Sequence, residues 1–300
     1  MSNFRNPERL YLSRIVFGVM KWGIWGHDLS SNEMQKLIEQ SIELGVTTFD
    51  HADIYGHYTT ETTFGEAIKN KSSLRQQLQI VTKCGIKMLA PNRPNHKIAS
   101  YDSSHSHILQ SVDTSLQNLH TDYIDLLLIH RPSPLMNPAE IAETFRQLRQ
   151  AGKVKFFGVS NFTPSQFEML NWHFKLETNQ VEASIMHTEP FFDGTFDQCL
   201  IKRIPPMVWS PLGGGKVFTD LEDKQVIRIQ KVAKKLGEKY KADIDQILFA
   251  WLLKHPSKVH PVLGTARIDR LKKAVDATQI NLIQEDWFEL LEASRGHQVA

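Results

Sequence analysis

The chain has 300 residues, enough for two average domains or for one large barrel with a sizeable core. Its 35 basic and 33 acidic residues give a net charge of +2 without long blocks of like charge, which argues against nucleic acid or a membrane surface as a partner. Only Cys84 and Cys199 are cysteines, Met1 to Arg9 contains no apolar signal segment, and no apolar stretch reaches the ~20 residues of a membrane span, so we expect a soluble cytoplasmic protein without disulfides.

Short apolar, β-branched runs alternate with helical patterns along the chain. The runs end near Gly18, Asp50, Lys83, His130, Asn161, Ser184, Ser210 and Gly264. Consecutive ends are between 23 residues (161 to 184) and 54 residues (210 to 264) apart. Each interval has room for a crossover helix, which needs about a dozen residues. Strands that alternate with helices in this way predict parallel pairing.

The intervening helices carry start and stop signals. Ser30 and Glu33 have the spacing of a capping box, and Gly45 ends the same helix as its C′ residue. Asn137 and Thr163 are each followed by proline, the pattern of an N-cap and first helical residue. These signals predict helices between successive strands.

The strand patterns favour one closed (β/α)8 barrel, a TIM barrel spanning residues 1–300 as a single domain. The run from Ile124 to Ile129 is apolar almost throughout, as expected when both faces of a strand are covered. A doubly wound open sheet is the alternative, but Gly18 is not followed by the usual Gly-x-Gly-x-x-Gly turn. We also expect a short N-terminal strand or hairpin at Leu10 to Leu12 and a long polar loop over residues 87–104.

Four polar side chains stand at or just past the ends of neighbouring predicted strands, and they are Asp50, Tyr55, Lys83 and His130. Active sites of such barrels lie at these strand ends. An ammonium beside a phenol favours the phenolate, so Lys83 is expected to lower the pKa of Tyr55. Asp50 would keep Lys83 charged, and His130 would share a carbonyl oxygen with Tyr55. This cluster predicts carbonyl reduction, although each residue alone could be a surface, capping or buried structural residue.

Four motifs carry a family resemblance, and they are Phe49 to Gly56, Gly158 to Phe162, Trp209 to Gly215, and Gly264 to Arg267. In their order and spacing, from about Leu12 to Ala277, the chain resembles the aldo-keto reductase superfamily. Within it, the chain most resembles bacterial oxidoreductases of the YdhF type. The resemblance implies an NADPH-dependent oxidoreductase that reduces aldehydes or ketones to alcohols by hydride transfer from the nicotinamide. The four residues named above match the catalytic positions, with Tyr55 as the general acid.

The resemblance also implies a set of cofactor-binding residues. They are Met20, Ser160, Asn161, Gln180, Trp209, Ser210, Pro211, Leu212, Gly213, Gly214, Lys216, Gly264, Thr265, Ala266, Arg267 and Arg270. Among them, Ser160, Asn161 and Gln180 would hold the nicotinamide carboxamide, and Trp209 would stack on the ring. The glycines after Leu212 would let the backbone approach the pyrophosphate, since glycine has no side chain to clash. An ordinary flexible loop is the alternative for that stretch.

The preference for NADPH over NADH depends on Arg267 and Arg270, which follow the last strand where the family binds the adenosine 2′-phosphate. A guanidinium fits a phosphate through its planar fork of donors. Two arginines on a solvated helix face are the alternative. The chain departs from the usual pattern nearby, because Gly264-Thr265 replaces a common Lys-Ser pair and Ala274 replaces an asparagine.

The expected substrate pocket is lined by loop residues at the mouth of the barrel, and they are Trp22, Trp25, Ile54, Tyr58, Met186 and His187, with Met20 beside them. Such a lining would select substrates by shape and hydrophobicity. Trp22 and Trp25 could equally pack against the N-terminal strand. No charged anchor for a particular carbonyl compound stands out.

Two functions of other classes stay open. One is an NADPH-binding regulatory or redox-sensing subunit like the potassium-channel β-subunits, which share the Trp-Ser-Pro-Leu motif at Trp209. The other is a barrel hydrolase that uses paired carboxylates such as Asp50 and Asp53. No histidine, cysteine and carboxylate cluster has metal-ligand spacing, so we expect no metal. The family resemblance favours a monomer.

Overall fold

The computed structural model describes residues 9–300. The segment Met1 to Arg9, which is expected to contain no secretion signal, lies outside the described residues except for Arg9. The strands are β1 Val16–Gly18, β2 Thr48–Asp50, β3 Gln79–Cys84, β4 Ile86–Lys87, β5 Ser100–Tyr101, β6 Ile124–Ile129, β7 Val154–Ser160, β8 Asn179–Glu182, β9 Met207–Trp209 and β10 His260–Leu263. The α-helices are α1 Ser31–Glu43, α2 Tyr55–Tyr58, α3 Thr60–Ile68, α4 Ser72–Arg75, α5 His105–Asn118, α6 Pro138–Gln150, α7 Pro164–Asn171, α8 Thr195–Lys202, α9 Lys216–Thr219, α10 Lys224–Tyr240, α11 Ile244–Leu253, α12 Ile268–Asp276 and α13 Gln284–Arg295. Short 3-10 helices cover Glu189–Phe191, Gly213–Gly215 and Ala277–Gln279.

Within residues 9–300, eight of the strands close into a barrel in the order β1, β10, β9, β8, β7, β6, β3, β2. The pairing is parallel, with Asp50 opposite Val81 and Lys83 opposite Leu128. Every predicted strand end lies within two residues of an observed one, and the largest offset is at Ser184, since β8 ends at residue 182. The (β/α)8 barrel is therefore confirmed.

The N-terminal strand is β1 itself, which belongs to the barrel. Leu10 to Leu12, for which a separate strand is predicted, form none. The next residue, Ser13, donates its backbone N–H to the Thr48 hydroxyl oxygen at 2.8 Å, so a side chain takes the bond that a strand partner would take. The long polar loop after Lys87 is framed by β4 and β5, which pair with each other as a separate antiparallel sheet.

The predicted helix starts are formed as expected. The Ser30 side chain accepts from the Glu33 N–H while Glu33 accepts from the Ser30 N–H, which completes the capping box of α1. The Asn137 side chain caps α6 by accepting backbone N–H groups. A second capping box at Thr163 begins α7. Among the helices of residues 9–300, none has both the length and the apolar character needed to cross a membrane.

The chain divides into two compact units, one running up to residue 180 together with 264–266, and the other comprising 181–263 and 267–300. In the first unit, aromatic rings pack together in part of the core; Trp22, for example, packs edge-on against Phe17 with ring centres 4.8 Å apart. In the second unit, Trp251 and Trp287 stack with ring centres 5.0 Å apart. Each of these indoles also donates its N–H to the other residue's carbonyl oxygen, which satisfies both buried donors.

Candidate active site

Lys83 is the centre of a buried polar cluster in the first unit. It lies near the end of β3 and is 1% exposed. Its Nζ donates to Asp50 Oδ2 at 2.8 Å, to the His51 carbonyl oxygen at 2.7 Å and to the Tyr55 hydroxyl at 3.1 Å. Because an ammonium has three hydrogens, every donor of Lys83 is used. The cation is therefore fixed beside the phenol.

Asp50 connects this ammonium to a second set of polar residues. Its Oδ1 accepts from Gln180 Nε2 at 2.8 Å, so both carboxylate oxygens have partners. The Gln180 carbonyl oxygen accepts the Ser160 hydroxyl at 2.9 Å. Asn161 Nδ2 in turn donates to Ser160 Oγ at 2.8 Å. A continuous hydrogen-bonded network thus joins Lys83 to the residues expected at the nicotinamide carboxamide.

The charges in the cluster follow from burial and proximity. Burial acts to lower the pKa of Lys83, but Asp50 and Tyr55 outweigh it and hold that pKa above its ordinary value, so the side chain is a cation. Burial raises the pKa of Tyr55, and the nearby Lys83 only partly opposes this effect. The expected lowering of the Tyr55 pKa is wrong in direction because burial acts on the phenol more strongly than the ammonium does. The phenol accordingly keeps its proton at neutral pH.

His130 follows β6 and is 7% exposed. Its ring centre lies 6.2 Å from that of Tyr55, with the rings nearly perpendicular. Burial, with the charges of Lys83 and Arg131, holds the pKa of His130 well below its ordinary value, so the imidazole is neutral. In the described part of the chain, its Nδ1 is buried without a hydrogen-bond partner. A neutral imidazole here can offer one N–H to an oxygen that approaches the Tyr55 hydroxyl.

The aromatic residues predicted for the substrate pocket divide into two groups. Trp25 is half-buried, and its ring meets that of Tyr55 edge-on at 6.1 Å. Trp22 is completely buried and donates its indole N–H to the Thr265 carbonyl oxygen at 2.7 Å. Trp22 also packs against Phe17 of β1, so it belongs to the core; the strand expected at Leu10 to Leu12, the alternative partner considered for it, does not form. Ile54 is also buried, whereas Met20 is 37% exposed.

The second unit holds the predicted glycine turn after Trp209, the last residue of β9. Ser210 has a positive φ of 50°, and the glycines Gly213 to Gly215 also have positive φ values, up to 94° at Gly215. A Cβ on Gly214 or Gly215 would have no atom within 4 Å, whereas one on Gly213 would lie 2.8 Å from Met186 Cγ. The turn is therefore tight against Met186 on one side and open on the other. Pro211 is buried, and Lys216 is exposed at the start of α9.

Other predicted residues of this unit lie near their own local partners. His187 forms a 3.1 Å pair with Glu189. Arg267 is the N-cap residue of α12, and its guanidinium pairs with Asp269 on the first turn. Arg270 is exposed, but Ala274 is completely buried, so its methyl group is part of the apolar side of α12. Back in the first unit, Gly264 is exposed with open space at its Cβ position, Thr265 is buried and Ala266 is half-buried.

The motifs gave no role to two groups that the structure places in the cluster. The His51 carbonyl oxygen takes one hydrogen of Lys83, and no side-chain pattern indicates a backbone acceptor. Arg131 donates to the His130 carbonyl oxygen at 3.1 Å and adds positive charge beside His130 and Tyr55. Its position directly after His130 is the signal that could have suggested it. Across residues 9–300, no group of histidine, cysteine and carboxylate side chains is arranged to hold a metal ion.

Comparison with known proteins is consistent with this geometry. The pattern that defines the Aldo/keto reductase family matches residues 14–295. The Bacillus subtilis protein described as uncharacterized oxidoreductase YcsN is 45% identical over the whole of both chains. Oxidoreductase YdhF of Escherichia coli is 43% identical over 98% of this chain and 97% of its own. A 6-dehydroglucose reductase of Agrobacterium fabrum is 40% identical over all of both chains.

Structural comparison gives the same family. A crystal structure of the thermostable aldo-keto reductase Tm1743 with the inhibitor epalrestat matches with a TM-score of 0.77 and 28% identity. The match covers 94% of this chain and 95% of that one. A putative voltage-gated potassium channel subunit beta of Schizosaccharomyces pombe is more distant, at 27% identity over 92% of this chain and 88% of its own.

Proposed function

The chain belongs to the aldo/keto reductase family and is an NAD(P)H-dependent oxidoreductase, and we propose that it reduces aldehydes or ketones to alcohols with NADPH, using Tyr55 as the proton donor. The observation that carries this proposal is the 3.1 Å hydrogen bond from Lys83 Nζ to the Tyr55 hydroxyl inside a buried cluster. A protonated phenol held beside a fixed cation is a suitable acid for an oxygen that gains negative charge.

The proposed reaction assigns one task to each side chain. The reduced nicotinamide, when bound, supplies a hydride for the carbonyl carbon. Tyr55 gives its proton to the carbonyl oxygen, and neutral His130 donates a hydrogen bond to the same oxygen. Lys83 stabilises the tyrosinate left after proton transfer, because an adjacent ammonium favours the charged phenolate. Asp50 keeps Lys83 charged and oriented.

Each unit contains residues that suit one part of a nicotinamide nucleotide. In the first, the Ser160 hydroxyl and the Asn161 amide offer the donors and acceptors that a carboxamide needs. In the second, the open side of the glycine turn leaves backbone at Gly214 and Gly215 accessible to a pyrophosphate. Trp209 at the end of β9 supplies an aromatic face for the nicotinamide ring.

We propose NADPH rather than NADH because Arg267 and Arg270 are both exposed at the start of α12. A helix N-terminus and guanidinium groups both favour a phosphate group. The pair between Arg267 and Asp269 is exposed, so solvent weakens it and a dianionic phosphate can compete for the guanidinium.

The substrate proposal starts from the relative described as a 6-dehydroglucose reductase, which is similar over the full chain. We propose that hydroxylated, sugar-like aldehydes are the first class to test. The residues proposed to face the substrate are Trp25, Ile54, Tyr58, Met186 and His187, with Trp22 supporting them from the core. Within this set, His187 can hydrogen-bond to hydroxyl groups.

A titration of protein fluorescence with NADPH and with NADH, followed by a carbonyl panel, tests the proposal. We expect tighter binding of NADPH and loss of NADPH absorbance with at least one sugar-like or simple aldehyde. Tight NADPH binding without turnover of any aldehyde, ketone or diketone would instead favour the regulatory-subunit alternative, for which the distant channel-subunit relative is the support.

We further propose that the protein works as a monomer in the cytoplasm. Cys84 and Cys199 are both buried and unbridged, which suits a reducing compartment. Size-exclusion chromatography with light scattering measures the mass in solution, and a value near 34.4 kDa is expected for the monomer. A value near twice that mass would contradict it.

A further inference from the structure

The backbone that follows Tyr55 has an unusual conformation. Gly56, His57 and Tyr58 have φ values of 59°, 54° and 66°, so three successive residues lie in the left-handed region. Residues other than glycine avoid this region unless their surroundings hold them there. A left-handed turn directly after the proposed acid therefore needs contacts that keep it in place.

The contacts on Tyr58 come from the segment after β3. We call residues 88–99, between β4 and β5, the hairpin loop. The Tyr58 hydroxyl accepts the Met88 N–H at 2.9 Å and donates to the Ile86 carbonyl oxygen at 3.4 Å. The Arg93 guanidinium lies over the Tyr58 ring, 4.4 Å from its centre. Tyr58 is thus held by both the strand and the loop of this hairpin.

A second contact reaches the middle of the turn. Asn92 Nδ2 donates to the His57 carbonyl oxygen at 2.7 Å. Asn92 is exposed, so this bond ties the loop to the turn from the solvent side. The His57 ring meets the Trp25 ring edge-on, with ring centres 5.3 Å apart. The left-handed turn is accordingly in contact with both the hairpin loop and Trp25.

The hairpin formed by β4 and β5 follows directly on β3, the strand that carries Lys83. Gly85, next to the last residue of β3, has a φ of 104° and starts the hairpin. The Gly85 carbonyl oxygen accepts the Asp102 N–H at 2.9 Å, which closes the hairpin at its base. One continuous segment therefore runs from the strand of Lys83 to the loop that contacts the turn after Tyr55.

We propose that the hairpin loop is a positioning element that fixes the Tyr55 hydroxyl against Lys83, and that it acts through Tyr58 and Asn92. The inference rests on the proposed role of Tyr55 as proton donor. It makes Tyr58 a positioning residue in addition to any contact with substrate. Loss of its two hydrogen bonds lets the left-handed turn relax and moves the phenol away from the position that proton transfer requires.

The test uses the double variant Tyr58→Phe/Asn92→Ala, which removes the hydroxyl bonds and the His57 bond but keeps the ring under Arg93. We expect kcat to fall about tenfold or more, with the dissociation constant of NADPH unchanged. Ile98→Ala is the matched control, because Ile98 lies on the same loop and is 72% exposed. Its kcat should equal that of the wild type.

A double-mutant cycle measured on kcat separates positioning of Tyr55 from a general structural effect. In a Tyr55→Phe background, adding the Tyr58→Phe/Asn92→Ala pair should cause no further fall in kcat at saturating substrate, since the loop acts on proton transfer only through Tyr55 and a lost substrate contact raises KM instead. A further fall there would overturn the inference, as would a wild-type kcat in the double variant. Full turnover of Tyr55→Phe alone would instead overturn the proposed function.

The single variant Asn92→Ala keeps the inference testable if the double variant does not fold. The exposed Asn92 side chain has no place in the core, so its removal leaves the barrel intact. We expect a smaller fall in kcat than in the double variant, again without a change in NADPH affinity. An unchanged kcat together with unchanged circular dichroism would overturn the role of the loop.

Discussion

The two compact units hold their functional side chains in opposite ways. In the first unit, Lys83 and Asp50 are buried, and their donors and acceptors are bonded within the protein. In the second unit, Gly214 faces open space and Arg270 is exposed. The groups proposed for chemistry are thus held in position by the protein itself, whereas those proposed for the nucleotide phosphates are exposed to solvent. Burial strengthens the hydrogen bonds and ion pair of Lys83 and Asp50, so their loss costs stability. Solvent weakens the interactions of the exposed groups in the second unit, so their loss costs little.

The largest effect is expected from a variant that breaks the buried pair of Lys83 and Asp50 in the first unit. Lys83→Met leaves the Asp50 carboxylate without its cation, so we expect the free energy of unfolding to fall by about 3–5 kcal/mol and turnover by ~10² or more. Urea unfolding and steady-state kinetics measure the two losses. The matched control is Lys235→Met in the second unit, which breaks an exposed pair with Glu289 and should cost less than about 1 kcal/mol. Similar losses for both variants would contradict the contrast between the units.

A pH experiment compares a buried histidine with an exposed one within the first unit. His51 is completely buried in the first unit, and burial, with the charge of Lys83, lowers its pKa to about 3. Between that pH and ~6.5, the unfolded chain binds a proton that the folded chain excludes, so stability falls as the pH falls through this range. Between pH 7.5 and 5, this one group should cost about 2 kcal/mol.

The variant His51→Leu isolates that contribution, because the leucine cannot titrate and the Lys83 bond to the residue 51 backbone carbonyl is kept. We expect the free energy of unfolding to change less between pH 7.5 and 5 than in the wild type. His173→Leu, at an exposed histidine of the same unit, should keep the wild-type pH dependence. Identical pH slopes for His51→Leu and the wild type would show that His51 titrates normally.

The smallest effect is expected in the second unit. Arg270→Ala and Arg267→Ala should each weaken NADPH binding about tenfold, the worth of a charge-assisted hydrogen bond, and leave NADH binding and stability unchanged. Isothermal titration with both nucleotides measures this selectivity. Lys272→Ala, at another exposed cation of α12 that pairs with Asp276, is the control and should alter neither affinity. Equal weakening of NADPH and NADH would remove the 2′-phosphate from the role of these arginines.

Local sequence signals predicted the fold well, because each one acts over a few residues. The capping boxes at Ser30 and Thr163 and the apolar strand from Ile124 to Ile129 are formed where the patterns indicate them. Leu10 to Leu12 has a strand-like composition but forms no strand. Whether such a run joins a sheet depends on a distant partner, and here Thr48 offers a side chain to Ser13.

Which side chains lie together around Lys83 was predictable from the sequence, but the balance of forces on them was not. Strand ends placed Asp50, Tyr55 and Lys83 together, since strand ends of a parallel barrel meet at one rim. The sign of the Tyr55 pKa shift could not be read from the sequence, because it depends on how deeply the phenol is buried against how close the ammonium lies. Trp22 was equally ambiguous, since an indole suits a core or a pocket and only packing decides between them.

Proton donation by Tyr55 is the central claim, and the Tyr55→Phe variant tests it most directly. The substitution removes the hydroxyl that accepts from Lys83 and keeps the ring against Trp25. With an aldehyde that the wild type reduces, we predict that kcat falls by ~10² or more while the dissociation constant of NADPH stays the same. Turnover equal to that of the wild type, at the same NADPH affinity, would contradict it.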